Sequence, residues 1–166
     1  TYIKHKIEME EIIKMNFKNY FILRLPILIG VTENPYTLFN FFFNSMVSGK
    51  KISIIKYAVR YILDVEEIEP VIRYIYNNKK EWNKTINMFI DRPMQIPKII
   101  QLMEKFSRLK ANKKIIDAGI SYKVPRASFN RIKLKIFSNM EHNGYSERII
   151  KKYVDIKLQS LKKVDI

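Results

Sequence analysis

Ten consecutive residues, Phe21-Ile22-Leu23-Arg24-Leu25-Pro26-Ile27-Leu28-Ile29-Gly30, are apolar at almost every position. A strand with one wet face alternates apolar and polar side chains. A run apolar on both faces predicts a strand buried on both sides, as in parallel sheets covered by helices. Parallel neighbours need a crossover of a dozen or more residues, usually a helix. This run therefore directs the chain toward a layered α/β architecture. Pro26 has no N–H to donate, so it predicts an edge, a bulge or the functional end of the strand.

The flanking sequence supplies the other elements. Ile3, Ile7, Ile12 and Ile13 give an imperfect apolar face to a helix over Tyr2 to Met15. Thr37 to Ser48 reads as a helix stopped by Gly49, with an aromatic cluster of Phe39, Phe41, Phe42 and Phe43 expected in the core. Short strands are expected at Ile52 to Ile55, Val59 to Leu63, Ile86 to Ile90 and Lys114 to Asp117. Ile68, Val71, Ile72 and Ile75 mark a helix with Pro70 in its first turn. A second helix carries Ile96, Ile99, Ile100, Met103 and Phe106, with Pro93 and Pro97 bracketing its entry. Asn130 to Phe137 alternates apolar and basic residues as a strand would, with a helix as close competitor. Tyr145 to Lys163 is an amphipathic helix. Helix and strand thus mostly alternate, with no internal repeat and no linker.

The 166 residues suffice for one domain with a core, and a hydrophobic content of 47% sets the chain apart from disordered tails. The absence of cysteine rules out disulfides and thiolate zinc sites and fits a reducing compartment, here the cytoplasm. His5 and His142 are too few and too far apart to suggest a metal site. No apolar stretch is long enough for a spanning helix. The first residue is Thr1 rather than Met, which suggests a fragment or a processed chain. A net charge of +15 invites a nucleic-acid reading. The chain, however, is rich in Lys, Ile and Asn, residues that share A/T-rich codons, and its lysines are scattered. A solvated basic surface is the preferred reading over nucleic-acid binding.

Tyr2 and Lys6 stand one above the other if the first helix forms. An ammonium beside a phenol favours the phenolate, and a tyrosine so placed can move a proton. The spacing is common by chance and needs support from the downstream sequence. That support is the order Tyr-Lys helix, buried strand with Arg24-Leu25-Pro26, aromatic helix, short strand, Arg60-bearing strand, acidic turn and helix. This order resembles the second half of the extended short-chain dehydrogenase/reductase family, the nucleotide-sugar epimerases, dehydratases and reductases.

The resemblance implies the C-terminal portion of a Rossmann-like parallel sheet plus the small substrate-binding subdomain. It places residues 1–85 mainly in the dinucleotide-binding fold and 86–166 mainly in the substrate-binding subdomain and C-terminal helices, together one incomplete domain. Tyr2 looks like the family's catalytic tyrosine and Lys6 like its lysine, which holds the nicotinamide ribose. Arg24-Leu25-Pro26-Ile27-Leu28-Ile29-Gly30 resembles the strand ending in Arg-x-x-Asn-Val-Tyr-Gly, so Pro26, Ile27 and Leu28 would border the nicotinamide. Arg60-Tyr61-Ile62-Leu63-Asp64-Val65-Glu66-Glu67-Ile68 resembles the segment whose arginine grips the substrate diphosphate. The implied cofactor is NAD or NADP, the substrate a nucleotide-diphosphate sugar, and the assembly a homodimer through the Tyr2–Lys6 helix.

The departures are specific. The family's asparagine is Ile27 here, and the residue after the arginine is Tyr61 rather than Asp. The four glycines, Gly30, Gly49, Gly119 and Gly144, form no Gly-rich loop such as a pyrophosphate requires at a helix N-terminus. The expectation is a fragment inactive alone, with a non-catalytic binding or scaffolding module of the same fold as the alternative.

Overall fold

A computed structural model describes residues 2–120, 125 and 127–162. In chain order the elements are α1 (Tyr2–Asn16), β1 (Phe21–Arg24), β2 (Ile27–Ile29), α2 (Leu38–Val47), β3 (Ile52–Ile55), β4 (Val59–Arg60) and β5 (Ile62–Asp64). Next come α3 (Ile68–Asn77), β6 (Lys84–Asn87), β7 (Met94–Gln95), α4 (Ile96–Ser107), β8 (Lys113–Ile116), α5 (Ala127–Ile136) and α6 (Tyr145–Lys162). The class is α/β, and β1–β6, β2–β5 and β3–β8 are parallel pairs while β4–β7 is antiparallel. No helix among the described residues is long and apolar enough to cross a membrane.

Two compact units divide the chain, each assembled from three segments. The first takes Thr1–Leu25, Glu67–Met88 and Val124–Asn139; the second takes Pro26–Glu66, Phe89–Lys123 and Met140–Ile166.

In the first unit, Phe21 to Arg24 lie opposite Lys84 to Asn87, and the Met88 N–H continues the pairing to the Arg24 carbonyl at 3.0 Å. Ile22, Val71, Ile75, Ile86, Phe129 and Ile132 are buried here. Pro70 is the third residue of α3, where its missing N–H leaves no helical bond unmade. Between the two readings of 130–137, the helix forms. Phe129, Ile132 and Ile136 fall at helical spacing, and the first two are buried. Leu134, which a strand would place beside Ile132 on the core face, is 65% exposed.

The second unit buries Phe39, Phe42, Phe43, Ile54, Leu63, Ile99, Ile100, Ile150 and Val154, and α4 packs along α6. Three of the four clustered phenylalanines are core; Phe41 stays 40% exposed. The Thr37 side chain caps α2 by accepting the Asn40 N–H at 3.3 Å. Gly30 ends β2 where its backbone meets β5's continuation: a Cβ there would stand 2.6 Å from Val65 Cγ1.

Two expected strands are broken. The run 21–30 divides at Leu25 and Pro26, so β1 joins β6 and β2 joins β5. Pro26 cannot donate to a ladder, and the chain changes partner there. Val59 to Leu63 divides at Tyr61: β4 pairs with β7, β5 pairs with β2, and the Tyr61 carbonyl accepts the Ile27 N–H at 3.1 Å. The strand expected at 86–90 runs earlier, Lys84–Asn87, and the buried residues Met88, Phe89 and Ile90 lie beyond its end.

Candidate functional site

Tyr2 and Lys6 occupy the first turns of α1, one helical turn apart. The Lys6 amino group lies 5.5 Å from the centroid of the Tyr2 ring, which is 75% exposed. This is a cation–π arrangement, with the ammonium over the ring. Both side chains line a groove of about 780 Å³ between α1 and β1, walled also by Ile3, Ile7, Glu10, Ile22, Leu23 and Arg24. A groove of this size is in the range that holds a small ligand.

What fixes the groove is a pair that local pattern does not reveal. The Arg24 guanidinium, at the end of β1, donates to Glu10 of α1 through Nε–H···Oε1 at 2.7 Å and Nη2–H···Oε2 at 2.6 Å. The fork is bidentate, the strong geometry for a guanidinium and a carboxylate. The hydrogen bond from Arg24 holds the Glu10 carboxyl below its usual pKa, against a smaller opposing effect of burial. Arg24 thus has a structural task. Its partner lies 14 residues away with no periodicity linking the two, so only the charge complement could have hinted at it.

The remaining expected residues belong to the second unit. Pro26 stands before β2, and Ile27 and Leu28 are half-buried within it. Ile27 offers only its backbone, whose N–H is engaged by Tyr61. Arg60, also half-buried, turns its Nη1 onto the Val59 carbonyl at 2.8 Å. Glu66, two residues beyond β5, accepts from Lys152 at 2.7 Å. Tyr61 is 5% exposed with its ring 5.4 Å from that of Phe89. Tyr2 and Lys6 are therefore brought together, as are Ile27 and the Tyr61 backbone.

A second feature, unmarked in the sequence, centres on buried Asp64. Its Oδ1 accepts from the Tyr153 hydroxyl at 2.6 Å and the Glu66 N–H at 3.1 Å, and its Oδ2 accepts from Lys152 Nζ at 2.8 Å. The Asp64 N–H donates to the Tyr145 hydroxyl at 2.9 Å. Burial, then the Asp64 hydrogen bond, pushes the Tyr153 phenol up to about 12, so it remains protonated at neutral pH. Burial works against the Lys152 charge, but Asp64 and Glu66 outweigh it and raise its pKa. The cluster fastens α6 to β5.

The architecture is that of a Rossmann-like α/β protein. Solved structures with this fold include NAD-dependent nucleotide-sugar epimerases and dehydratases. UDP-glucose 4-epimerase from Thermotoga maritima, solved with UDP-glucose, aligns with a TM-score of 0.66 at 16% identity, over 96% of this chain and 52% of that one. UDP-glucuronic acid 4-epimerase from Bacillus cereus, in complex with UDP-glucuronic acid and NAD, gives 0.62 at 16%, over 87% and 48%. dTDP-glucose 4,6-dehydratase from Bacillus anthracis, in complex with NAD, gives 0.63 at 14%, over 81% and 43%. The chain spans about half the length of these proteins. No family model matches the sequence, and no curated protein matches it.

Proposed function

We propose that the chain carries the substrate-side part of an NAD(P)-dependent nucleotide-sugar epimerase, dehydratase or 4-ketoreductase. The observation that carries this reading is the Tyr2–Lys6 pair placed over an open groove on the fold those enzymes share. In this reading Tyr2 moves the proton at the sugar hydroxyl or keto oxygen, and Lys6 orients the nicotinamide ribose. Pro26, Ile27 and Leu28 border the nicotinamide, Arg60 meets the substrate diphosphate with its planar fork, and α1 serves as a homodimer face.

The described residues do not fit the dinucleotide as a whole. A pyrophosphate needs a glycine cradle at a helix N-terminus. At Gly30 and Gly119 the space a Cβ would take is filled by Val65 and Ile55, each at 2.6 Å, while Gly49 and Gly144 are open but stand alone, with no second glycine in the same turn to complete a cradle. Turnover would require a Gly-rich loop from outside these residues. Calorimetry with this chain alone should accordingly show no NAD(H) binding, and micromolar affinity would overturn the proposal. Supplied with a Gly-rich βαβ half, the protein should turn over, and Tyr2→Phe should slow it by about 10²- to 10⁴-fold.

A second reading, a non-catalytic binding module of this fold, draws on Ile27 and Tyr61. Both put apolar surface where the enzymes carry polar side chains, and Tyr61 is buried against Phe89. An assembled protein that binds cofactor but is indifferent to Tyr2→Phe would favour it.

A further inference from the structure

On the first unit, a second groove of about 370 Å³ is lined chiefly by rings: Phe17, Tyr20, Phe21, Tyr76 and Trp82. Phe17 is 59% and Tyr76 68% exposed, so two of the rings stand largely in water. Trp82 is held by its edge, with Nε1–H donating to the Ile75 carbonyl at 3.0 Å. Its ring is therefore fixed as a wall. Large exposed aromatics clustered in one place mark a binding surface more often than chance.

The charge around the groove has one sign. The acids of α1, α3 and the turn before β6 are already neutralised. Glu8 pairs with Lys4, Glu10 with Arg24, Glu11 with Lys14, Glu69 with Arg73, and buried Glu81 with Lys84 and Arg131. Lys18, Lys79 and Lys80 are exposed or half-exposed and make no ion pair among the described residues. Lys79 Nζ lies 5.9 Å from the Trp82 ring centroid, at the groove itself. Stacking rings beside unneutralised lysines match a polymer that carries flat bases on an anionic backbone. An apolar peptide would use the rings and leave the lysines uncompensated.

We propose that this groove binds single-stranded nucleic acid. One base stacks among Phe17, Tyr76 and Trp82, and the flanking phosphates meet Lys18, Lys79 and Lys80. This groove adjoins the one beside Tyr2 and Lys6, with Ile13 lining both, but its ligand does not depend on the enzymatic reading. The local pairing of rings with free lysines, not the chain's total charge, defines the match.

Trp82 is the only tryptophan in the sequence, so its fluorescence reports on this groove alone. The experiment titrates the full chain with a short oligothymidylate at roughly 50 and 200 mM salt, following Trp82 emission. Quenching that saturates, and that weakens steeply at the higher salt, is expected. Tyr76→Ala and Phe17→Ala leave the reporter and the core in place and should each weaken binding about tenfold. Lys79→Gln should lower the salt slope by about one. The proposal is overturned if Trp82 emission does not respond, or if both aromatic variants bind as tightly as the parent. It is equally overturned if heparin, a polyanion without bases, quenches as strongly, or if thymidine monophosphate binds as tightly as the strand.

Discussion

A carboxylate without exposed surface must be compensated, and Glu81 shows how completely this chain does so. It is 0% exposed, and it accepts from Lys84 at 3.1 Å and from Arg131 at 2.7 and 2.8 Å. Burial works to raise its pKa, but the two cations outweigh burial and leave it below the usual glutamate value. A depressed folded pKa contributes stability that is complete above the ordinary value and is lost as pH falls through the folded value. Glu81→Gln should therefore cost about 1–3 kcal/mol near neutrality through the weakened hydrogen bonds to Lys84 and Arg131, a cost limited because these half-exposed partners regain water. Arg131→Ala should cost more, toward the roughly 3–5 kcal/mol of a broken buried pair, because it leaves the buried charge with Lys84 alone. Thermal unfolding across pH should show the parent and Glu81→Gln converging in acid; parallel curves, or the opposite ranking of the two variants, would refute this assignment. Nothing in the sequence around Glu81 flags it, since Arg131 lies 50 residues on.

Among the helices, α1 is the outlier. None of its residues is buried, while Tyr2, Ile3, Ile7, Met9, Ile12 and Met15 are 41 to 75% exposed. A helix of 15 residues is marginal on propensity alone and depends on its attachments. The bidentate Arg24–Glu10 fork is its strongest polar attachment among the described residues. Arg24→Ala should thus speed amide hydrogen exchange across residues 6–14 several-fold while shifting the global midpoint little, the pattern of a local opening. Unchanged exchange would mean that apolar contacts with β1 suffice. Helices with strong periodicity or clear stops were legible from sequence, as α2, α4 and α6 show. Strand ends were not. Pro26, expected at an edge, a bulge or the functional end of one strand, instead falls where 21–30 breaks in two, while Tyr61 carries no marker at all, and its carbonyl is redirected by a partner 34 positions earlier. The alternation at 130–137 misled because basic residues tolerate either face of a helix end.

For the molecule as a whole, the α/β class and the likeness to nucleotide-sugar enzymes came from the order of elements, and shared architecture at 16% identity explains why order outlasts residue identity. The candidate site was legible only at Tyr2 and Lys6. The groove beside them needed Arg24 and Glu10, and the α6 attachment needed Asp64, Lys152 and Tyr153, all joined across distances that periodicity does not register. Exposed apolar surface on α1 also bears on assembly, because isolated proteins rarely leave such a stripe in water. Sedimentation should show concentration-dependent self-association, abolished by Ile3→Lys with Ile7→Lys; a monomer at all concentrations would remove α1 as a homodimer face. The discontinuity of the two units has a kinetic side. Each collects segments from early, middle and late in the chain, and β1 meets β6 only across some 60 intervening residues. Neither unit can close while the ribosome is still making its last segment. Contacts of such high sequence separation are slow to form, so the emerging chain holds unpaired parallel strands and bare isoleucines for seconds. Chaperone capacity during synthesis, more than the stability of the finished fold, should then set how much of this protein a cell can accumulate.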